Sequence, residues 1–455
     1  MRKYFGTDGI RRIANTDLSP NLVFKVAKAG ASVLSQHTNH TPTILIGKDT
    51  RISGTLIESA MIAGFLSYGA NVKTLGIIPT PAVAYLTKKY NADASVVISA
   101  SHNTFEFNGV KYFSNKGMKI PDNLEEEIEE IIDSDEKLTA LTAVAEKIGI
   151  AENAENMIED YIDFIVGIFH ENITKNKKDD FKVLIDTANG ATYKVAEKIY
   201  KRLGINFDII NNKPNGININ EGCGSTHLEK LKEKVVEGKY SLGIAYDGDG
   251  DRCLAVDENG TEIDGDIMLA ISSNYLKSKG KLSKNTLVAT VMSNLGLNKY
   301  AANEELNLIQ TKVGDRYVLE EMLANGYNLG GEQSGHIIYL DYNPTGDGIL
   351  TSLMLIQILL EKKQLPSEAR KIVKIYPQVL INAKVANEKK YDYEKDEEIK
   401  SAIEKVSKEF SGNGRVLIRT SGTEPLVRVM IEGENQEIIT KKAQQLANLI
   451  EEKLK

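Results

Sequence analysis

The chain has 455 residues, 42 % of them hydrophobic and 26 % charged, with a net charge of −7. That length exceeds what one core usually supports and implies three or four domains. The negative balance disfavours non-specific nucleic-acid binding, yet it leaves room for a local cation cluster around a small anion.

The opening, Phe5-Gly-Thr-Asp-Gly-Ile-Arg11-Arg12, is a glycine-rich turn that presents arginine. It follows a charged start with no apolar stretch of the signal-peptide kind. Residues 21–35 carry a helical period, and Thr43 to Asp49 reads as a short apolar strand. Thr50-Arg51-Ile-Ser-Gly54 leads into a helix over 55–68, with another strand at 71–76. Strand, loop, helix and strand in that order are the signature of a parallel sheet. An apolar run from Ala94 to Ile98 then stops at Ser99-Ala-Ser101-His102-Asn103, and Lys111 follows shortly after. Leu124 to Leu138 reads as one acidic helix with a solvated face.

The pattern opens again at Phe181 to Gly190 and near Leu287 to Gly296, which predicts three α/β domains of one plan. The apolar run Ile349 to Leu360 falls short of the ~18 residues a membrane span needs and reads as a buried helix. Leu365 to Pro377 is a candidate hinge. Beyond it, strands at 375–386 and 414–433 and a helix over 436–453 predict a smaller α+β domain. The expected limits are 1–152, 153–254, 255–367 and 368–455. The two cysteines, Cys223 and Cys253, lack zinc-site spacing and form no disulfide framework, which fits a reducing compartment. The expectation is a cytoplasmic protein.

Four strings carry chemistry. Strand ends in open α/β sheets are where ligands bind, so Ser101 is a candidate phosphoryl carrier; the plainer reading is a polar turn. In Asp247-Gly-Asp249-Gly-Asp251-Arg252, three carboxylates on a tight loop can converge on a hard cation such as Mg²⁺. The spacing also meets part of the EF-hand pattern, but Arg252 stands where that loop needs glycine, and the flanks read as strands. An acidic turn without a cation would leave three repelling charges. A phosphoserine oxygen would complete the Mg²⁺ set, and Arg252, Lys111, Arg11 and Arg51 could balance its charge.

Lys312-Val-Gly-Asp315-Arg316 and Gly331-Glu332-Gln-Ser334-Gly-His336 offer polar groups suited to sugar hydroxyls, or form a polar hairpin. Arg419-Thr-Ser421-Gly422-Thr423, with Arg428 close behind, can wrap a phosphate, or form an ordinary turn bearing arginines.

Together and in this order, the four strings resemble the α-D-phosphohexomutase superfamily from end to end. The resemblance implies an α/β protein of four domains around a central cleft, three related mixed α/β domains plus a smaller C-terminal α+β domain. It implies that Ser101 is the phosphorylated serine, that Asp247, Asp249 and Asp251 bind Mg²⁺ with it, and that Glu332 and Ser334 bind sugar hydroxyls. Arg419, Ser421, Gly422 and Thr423 would hold the non-reacting phosphate. Lys111 would be a general base or charge stabiliser, and His336 an acid or sugar contact. His102 and Arg252 join the catalytic set, and Arg11, Arg51, Lys312, Asp315, Arg316 and Arg428 the substrate-binding set.

The strings are most similar to the amino-sugar branch. That branch implies interconversion of glucosamine 6-phosphate and glucosamine 1-phosphate, with a glucosamine 1,6-bisphosphate or similar activator, phosphorylation at Ser101 and room for a homodimer. The product would feed amino-sugar nucleotide and cell-wall precursor synthesis. A mannose- or glucose-phosphate mutase of the superfamily is the alternative, and a non-catalytic sugar-phosphate-binding protein the remoter one. Thr104 replaces the family's usual proline after Ser-His-Asn, and Arg12 its usual glycine.

Overall fold

A computed structural model describes residues 3–6, 8–36, 38–421 and 424–455. The chain forms two bodies: Met1–Val291 with Asn307–Ile372, and Met292–Leu306 with Val373–Lys455. Their limit at 372/373 falls inside the expected hinge segment.

The first body begins with β1 (Ile10–Ile13), α1 (Pro20–Leu34), β2 (Thr43–Lys48), α2 (Gly54–Tyr68), β3 (Asn71–Ile77), α3 (Thr80–Lys89), β4 (Ala94–Ile98) and β5 (Phe107–Ser114). Helices α4 (Asp122–Ile132) and α5 (Asp135–Ala140) and strand β6 (Ala151–Asn153) complete this domain. Its sheet has the order β1-β5-β4-β2-β3-β6, with β2, β3, β4 and β6 parallel and β5 antiparallel to both β1 and β4.

Next come α6 (Ile158–Asn176), β7 (Lys182–Asp186), α7 (Val195–Arg202), β8 (Asn206–Ile210), α8 (Glu229–Glu237), β9 (Leu242–Tyr246), β10 (Cys253–Asp257) and β11 (Glu262–Ile263). They build a sheet of order β11-β10-β9-β7-β8. The expected domain limit at 254 falls inside β10, because this return strand and β11 stay hydrogen-bonded to the second sheet.

The third group is α9 (Gly265–Ser278), β12 (Thr286–Thr290), α10 (Leu295–Asn303), β13 (Asn307–Thr311), α11 (Asp315–Asn325), β14 (Leu329–Gly331), β15 (Ile337–Tyr339), α12 (Gly348–Lys362) and α13 (Pro366–Ala369). Its sheet runs β13-β12-β14-β15. One plan therefore occurs three times. A pair of parallel strands neighbours a third, which turns back antiparallel through a loop: β4 to β5, β9 to β10, and β14 to β15. The serine string, the aspartate string and the Glu332 string occupy this same connection in the three copies.

Two expectations about helices change. The single acidic helix breaks at Asp133, where Ser134 caps α5 by accepting from Lys137 N. Helix α4 is also not a solvated face. Ile128 and Ile132 enter the first core, Glu129 accepts from the amides of Lys3, Tyr4 and Phe5, and Glu125 pairs with Arg316. A buried carboxylate with three backbone donors ties the N-terminal segment to α4.

Helix α12 is buried on every side from Gly348 to Leu360, as an apolar run without a polar stripe should be. Its N-cap Asp347 accepts from Leu350 N at 3.0 Å and from Tyr161 Oη of α6 at 2.9 Å on each oxygen. Burial outweighs these donors and pushes the Asp347 carboxyl up to about 6. The sign follows from linkage. Above pH 6 the fold carries the whole cost of a buried charge; as pH falls toward 4 the folded carboxyl takes a proton first and that cost is released. Relative to Asp347→Asn, the wild type should gain about 2 kcal/mol between pH 7 and pH 4. Paired thermal melts across that range check this. A constant difference would mean that the carboxyl stays charged in the fold.

In the second body, β16 (Gln378–Lys384), α14 (Glu397–Glu409), β17 (Gly414–Thr420), β18 (Leu426–Gly433) and α15 (Gln436–Leu454) form an antiparallel sheet, β16-β18-β17, under two helices. The loop and α10 after β12 group with this body. Asn294 exchanges hydrogen bonds with Tyr376, and Arg415 Nη2 donates to Ser293 O at 2.8 Å. No helix among the described residues is long and apolar enough to cross a membrane.

Candidate active site

The serine loop leaves β4 and turns at Ser101, whose φ of 50° is left-handed. Ser101 is 1 % exposed, and its Oγ donates to Asp247 Oδ2 at 2.7 Å. The backbone N of Ser101 donates to Ser99 Oγ at 2.9 Å, and that hydroxyl donates to Asp49 Oδ2 at 2.5 Å. Asp49 in turn accepts from Arg51 Nε at 2.9 Å. The chain of bonds fixes the loop from behind.

The aspartate loop, residues 247–252, is the turn between the paired ends Tyr246 and Cys253. It approaches the serine loop so closely that a Cβ on Gly248 would sit 2.5 Å from Ser101 O. Only glycine permits that contact. Ligand oxygens of Asp247, Asp249 and Asp251 lie within 4.8 Å of one another, all buried. Asp249 Oδ2 accepts from Thr80 Oγ1 at 2.7 Å and from Lys111 Nζ at 2.9 Å. Oδ1 of Asp249 and Oδ1 of Asp251 are buried without a hydrogen-bond partner among the described residues, the latter 3.9 Å from Arg252 Nε. Burial, then Asp251 and Asp249, push the Asp247 carboxyl well above its ordinary range. Crowded, desolvated carboxylates with unmatched oxygens are a donor set for a hard divalent cation.

Lys111 is 1 % exposed on β5, with Asp8 Oδ2 at 3.1 Å and Asp251 Oδ2 at 3.9 Å besides Asp249. Burial opposes its charge, but Asp249, Asp8 and Asp251 outweigh it and raise the pKa. The three carboxylates favour the charged ammonium. His102 differs. Burial, then Arg252 and Arg11, depress it to about 4, and its Nδ1 stands 3.4 Å from Ser101 Oγ and 3.3 Å from Arg252 Nη1.

In the third loop, His336 is buried with Nδ1 3.6 Å from Asp251 and Nε2 3.4 Å from Asp315. Burial disfavours its charge, yet Asp315 and Asp251 raise its pKa. Glu332 Oε1 accepts from Gly314 N at 3.1 Å, and Ser334 Oγ is buried with no partner among the described residues. Lys119 bridges Asp315 at 2.7 Å and Asp8, which also meets Arg11. The first body thus gathers Arg11, Ser101, His102, Lys111, the three aspartates, Arg252, Asp315 and His336 into one connected cluster.

Two residues expected to bind substrate are engaged elsewhere. Arg51 has a fully buried side chain that donates to the carbonyls of Ser101, Asn103 and Thr104, since a buried loop without sheet partners needs donors for its oxygens. Arg316 is taken up by Asp122 and Glu125 of α4. Lys312 is exposed at the edge of its loop. Thr80, Lys119 and Asn220 carry no local sign of membership in the cluster. Asp8 lay inside a quoted string and could have been found there as the lone carboxylate beside arginines.

In the second body, Arg419 and Arg428 are direct cross-strand partners on β17 and β18. Like charges in that position repel. Burial, then Arg428, lowers the Arg419 pKa, and Arg428 has Glu424 at 3.3 Å. Ser421 Oγ accepts from Glu424 N at 3.2 Å, and Lys390 Nζ donates to Ser421 O at 3.4 Å, adding a cation the sequence reading omitted. Gly422 and Thr423 lie outside the described residues. Two arginines and a lysine around a hydroxyl turn are an anion-binding arrangement.

Known proteins resemble the whole chain. Family profiles described as phosphoglucomutase/phosphomannomutase match it four times: alpha/beta/alpha domain I at 2–139, domain II at 159–260, domain III at 264–376 and the C-terminal domain at 380–449. It is 54 % identical over 455 residues to a phosphoglucosamine mutase of Ruminiclostridium cellulolyticum, with both chains covered completely. A phosphoglucosamine mutase of Clostridium botulinum is 55 % identical over 458 residues, again covering 100 % of both. Among solved structures, a phosphoglucomutase/phosphomannomutase family protein of Burkholderia thailandensis has a TM-score of 0.81 at 21 % identity, covering 99 % of this chain and 98 % of that one. An N-acetylphosphoglucosamine mutase of Aspergillus fumigatus has a TM-score of 0.69 at 16 % identity, covering 100 % and 96 %. These two share the fold. With four domain matches in order and full-length relatives of this identity, the chain belongs to the phosphoglucomutase/phosphomannomutase family of phosphohexomutases.

Proposed function

We propose that this phosphohexomutase interconverts glucosamine 6-phosphate and glucosamine 1-phosphate through a phosphorylated Ser101 and a 1,6-bisphosphate. The observation that carries the substrate is the 54–55 % identity, over the whole chain, to proteins named phosphoglucosamine mutase. The chemistry is supported by the 2.7 Å contact between Ser101 Oγ and a buried carboxylate triad.

In the forward direction the bond from Ser101 Oγ to phosphorus breaks as a bond forms to O1 of the sugar, and the proton of that hydroxyl ends on Ser101 Oγ. The bisphosphate turns over, the bond from its O6 to phosphorus breaks as one forms again to Ser101 Oγ, and the serine proton ends on O6. Asp247, Asp249 and Asp251 would hold Mg²⁺, and the unmatched oxygens of the last two fit that role. When bound, the ion supplies electrostatic stabilisation of the phosphoryl oxygens. Arg252, Arg11 and Lys111 surround the serine with positive charge, which phosphoryl transfer needs more than covalent help. Glu332 and Ser334 would read sugar hydroxyls, with His336 held beside them by Asp251 and Asp315. The Arg419 to Thr423 turn with Arg428 would grip the phosphate that is not reacting.

The test is a comparison of kcat/KM for glucosamine, glucose and mannose phosphates with Mg²⁺ and a bisphosphate activator. Glucosamine phosphate should lead by at least about tenfold, the low end of what a one-group difference between substrates supplies. A lead for glucose or mannose phosphate would reassign the substrate to the other branch of the family.

A further inference from the structure

The left-handed backbone of Ser101 is one that non-glycine residues adopt only when their surroundings impose it. Two side chains impose it here, and both reach the same pair of oxygens. Arg51 Nη2 donates to Ser101 O at 3.0 Å and to Asn103 O at 2.8 Å. Asn220 Nδ2 donates to the same two carbonyls, at 2.8 Å and 2.9 Å. Asn220 lies between β8 and α8, so its amide reaches the serine loop from the second domain, 119 residues further along the chain.

Asn220 is itself held firmly. Its backbone N donates to Ala188 O at 3.0 Å, its φ is 59°, and it is 2 % exposed. Its Oδ1 is buried with no partner among the described residues, so the amide group is placed for its two donated bonds alone. The same stretch of chain approaches the aspartate loop, because a Cβ on Gly248 would meet both Ser101 O and Asn220 Nδ2. Rotation of the 101–102 and 103–104 peptides, which carry these two carbonyls, would break bonds to both side chains and release the loop that holds Ser101 Oγ against Asp247.

We propose that Asn220 is a positioning residue for phosphoryl transfer: with Arg51 it holds the carbonyls of Ser101 and Asn103 and thereby sets where Ser101 Oγ points. The proposal rests on the phosphoserine reading above. It assigns the second domain a task in the first domain's loop besides supplying the aspartates.

Two variants separate positioning from packing. Asn220→Asp keeps the shape and tolerates the left-handed backbone, but it turns an acceptor toward two carbonyl oxygens. Asn220→Gly keeps the backbone conformation and removes the side chain. With Mg²⁺ and glucosamine 1,6-bisphosphate, one measures phosphoryl transfer to dephosphorylated Ser101 by intact mass, and steady-state kcat and KM alongside. Asn220→Asp should slow transfer and kcat by about 10²-fold, the scale expected for a small misplacement of a reacting group, with KM changed less than about twofold. Asn220→Gly should lose about tenfold in kcat by the same reasoning. If the side chain only fills space, Asn220→Asp should behave as wild type, and that result overturns the proposal. A loss confined to KM overturns it too. Should Asn220→Asp fail to fold, Asn220→Gly decides, and an undiminished kcat there counts against positioning. Failure of the wild type to take up a phosphoryl group at Ser101 would instead overturn the mechanism proposed for the whole protein.

Discussion

Replacing Ser101 with alanine should lower turnover by about 10⁴-fold or more while leaving sugar-phosphate binding measurable, as removal of a nucleophile generally does. The neighbouring hydroxyl cannot substitute, because Ser99 Oγ is bound to Asp49 and to the backbone of residue 101. The fold should change little. Alanine meets the same strain at a φ of 50°, and the lost bonds, to Asp247 and the longer one to His102 Nδ1, are worth on the order of 1 kcal/mol each. A coupled assay run beside titration with glucosamine 6-phosphate checks both halves. Near-normal turnover in Ser101→Ala would overturn the phosphoserine mechanism whatever the sugar proves to be.

Stripping divalent cations should have the second-largest effect. A chelator is expected to abolish turnover and lower the melting temperature, and Mg²⁺ at about 100 times its dissociation constant should restore about 2.7 kcal/mol. The reason lies in the apo cluster: three buried carboxylates within 4.8 Å, with two oxygens that accept no hydrogen bond among the described residues, are costly without a counter-ion. Lys111 relieves part of that cost, so the protein should remain folded when the ion is gone. Asp249→Asn should abolish the Mg²⁺-dependent rise in melting temperature. A melting temperature and turnover indifferent to chelation would remove the metal from the site.

Much of this was readable from local strings, for a physical reason. The aspartates, Ser101 and His336 each sit on a short loop that ends an apolar strand, and such loops advertise themselves by composition. The three-fold repetition was visible as three strand openings, although the identical placing of the serine, aspartate and Glu332 loops required the strand order. What escaped were bonds between distant segments. Arg51 looked like a ligand contact because its string is small and polar, but which way an arginine faces depends on oxygens that other segments leave unsatisfied. Arg316 is claimed by α4, whose glutamates look solvated in sequence because their partners lie 125 residues away for Glu129 and 191 for Glu125. Asn220 carries no local sign at all; its importance comes entirely from where the second domain sets it down.

Helix α12 has a consequence for the order in which the protein is made. It packs against α6 of the second domain, through Tyr161 to Asp347 and Asn172 to Gln357, and against α9 of the third. While the ribosome is still building the third sheet, α6 has already emerged, with α3 and α7 against it but the face that α12 will fill still open. The wait ends only when Leu360 has left the exit tunnel, late in translation. Nascent chains therefore pass through a long interval in which they can stick to one another or recruit chaperones. Substitutions in α12 should accordingly reduce the yield of folded protein per chain synthesised more than they reduce the activity of the molecules that reach the end.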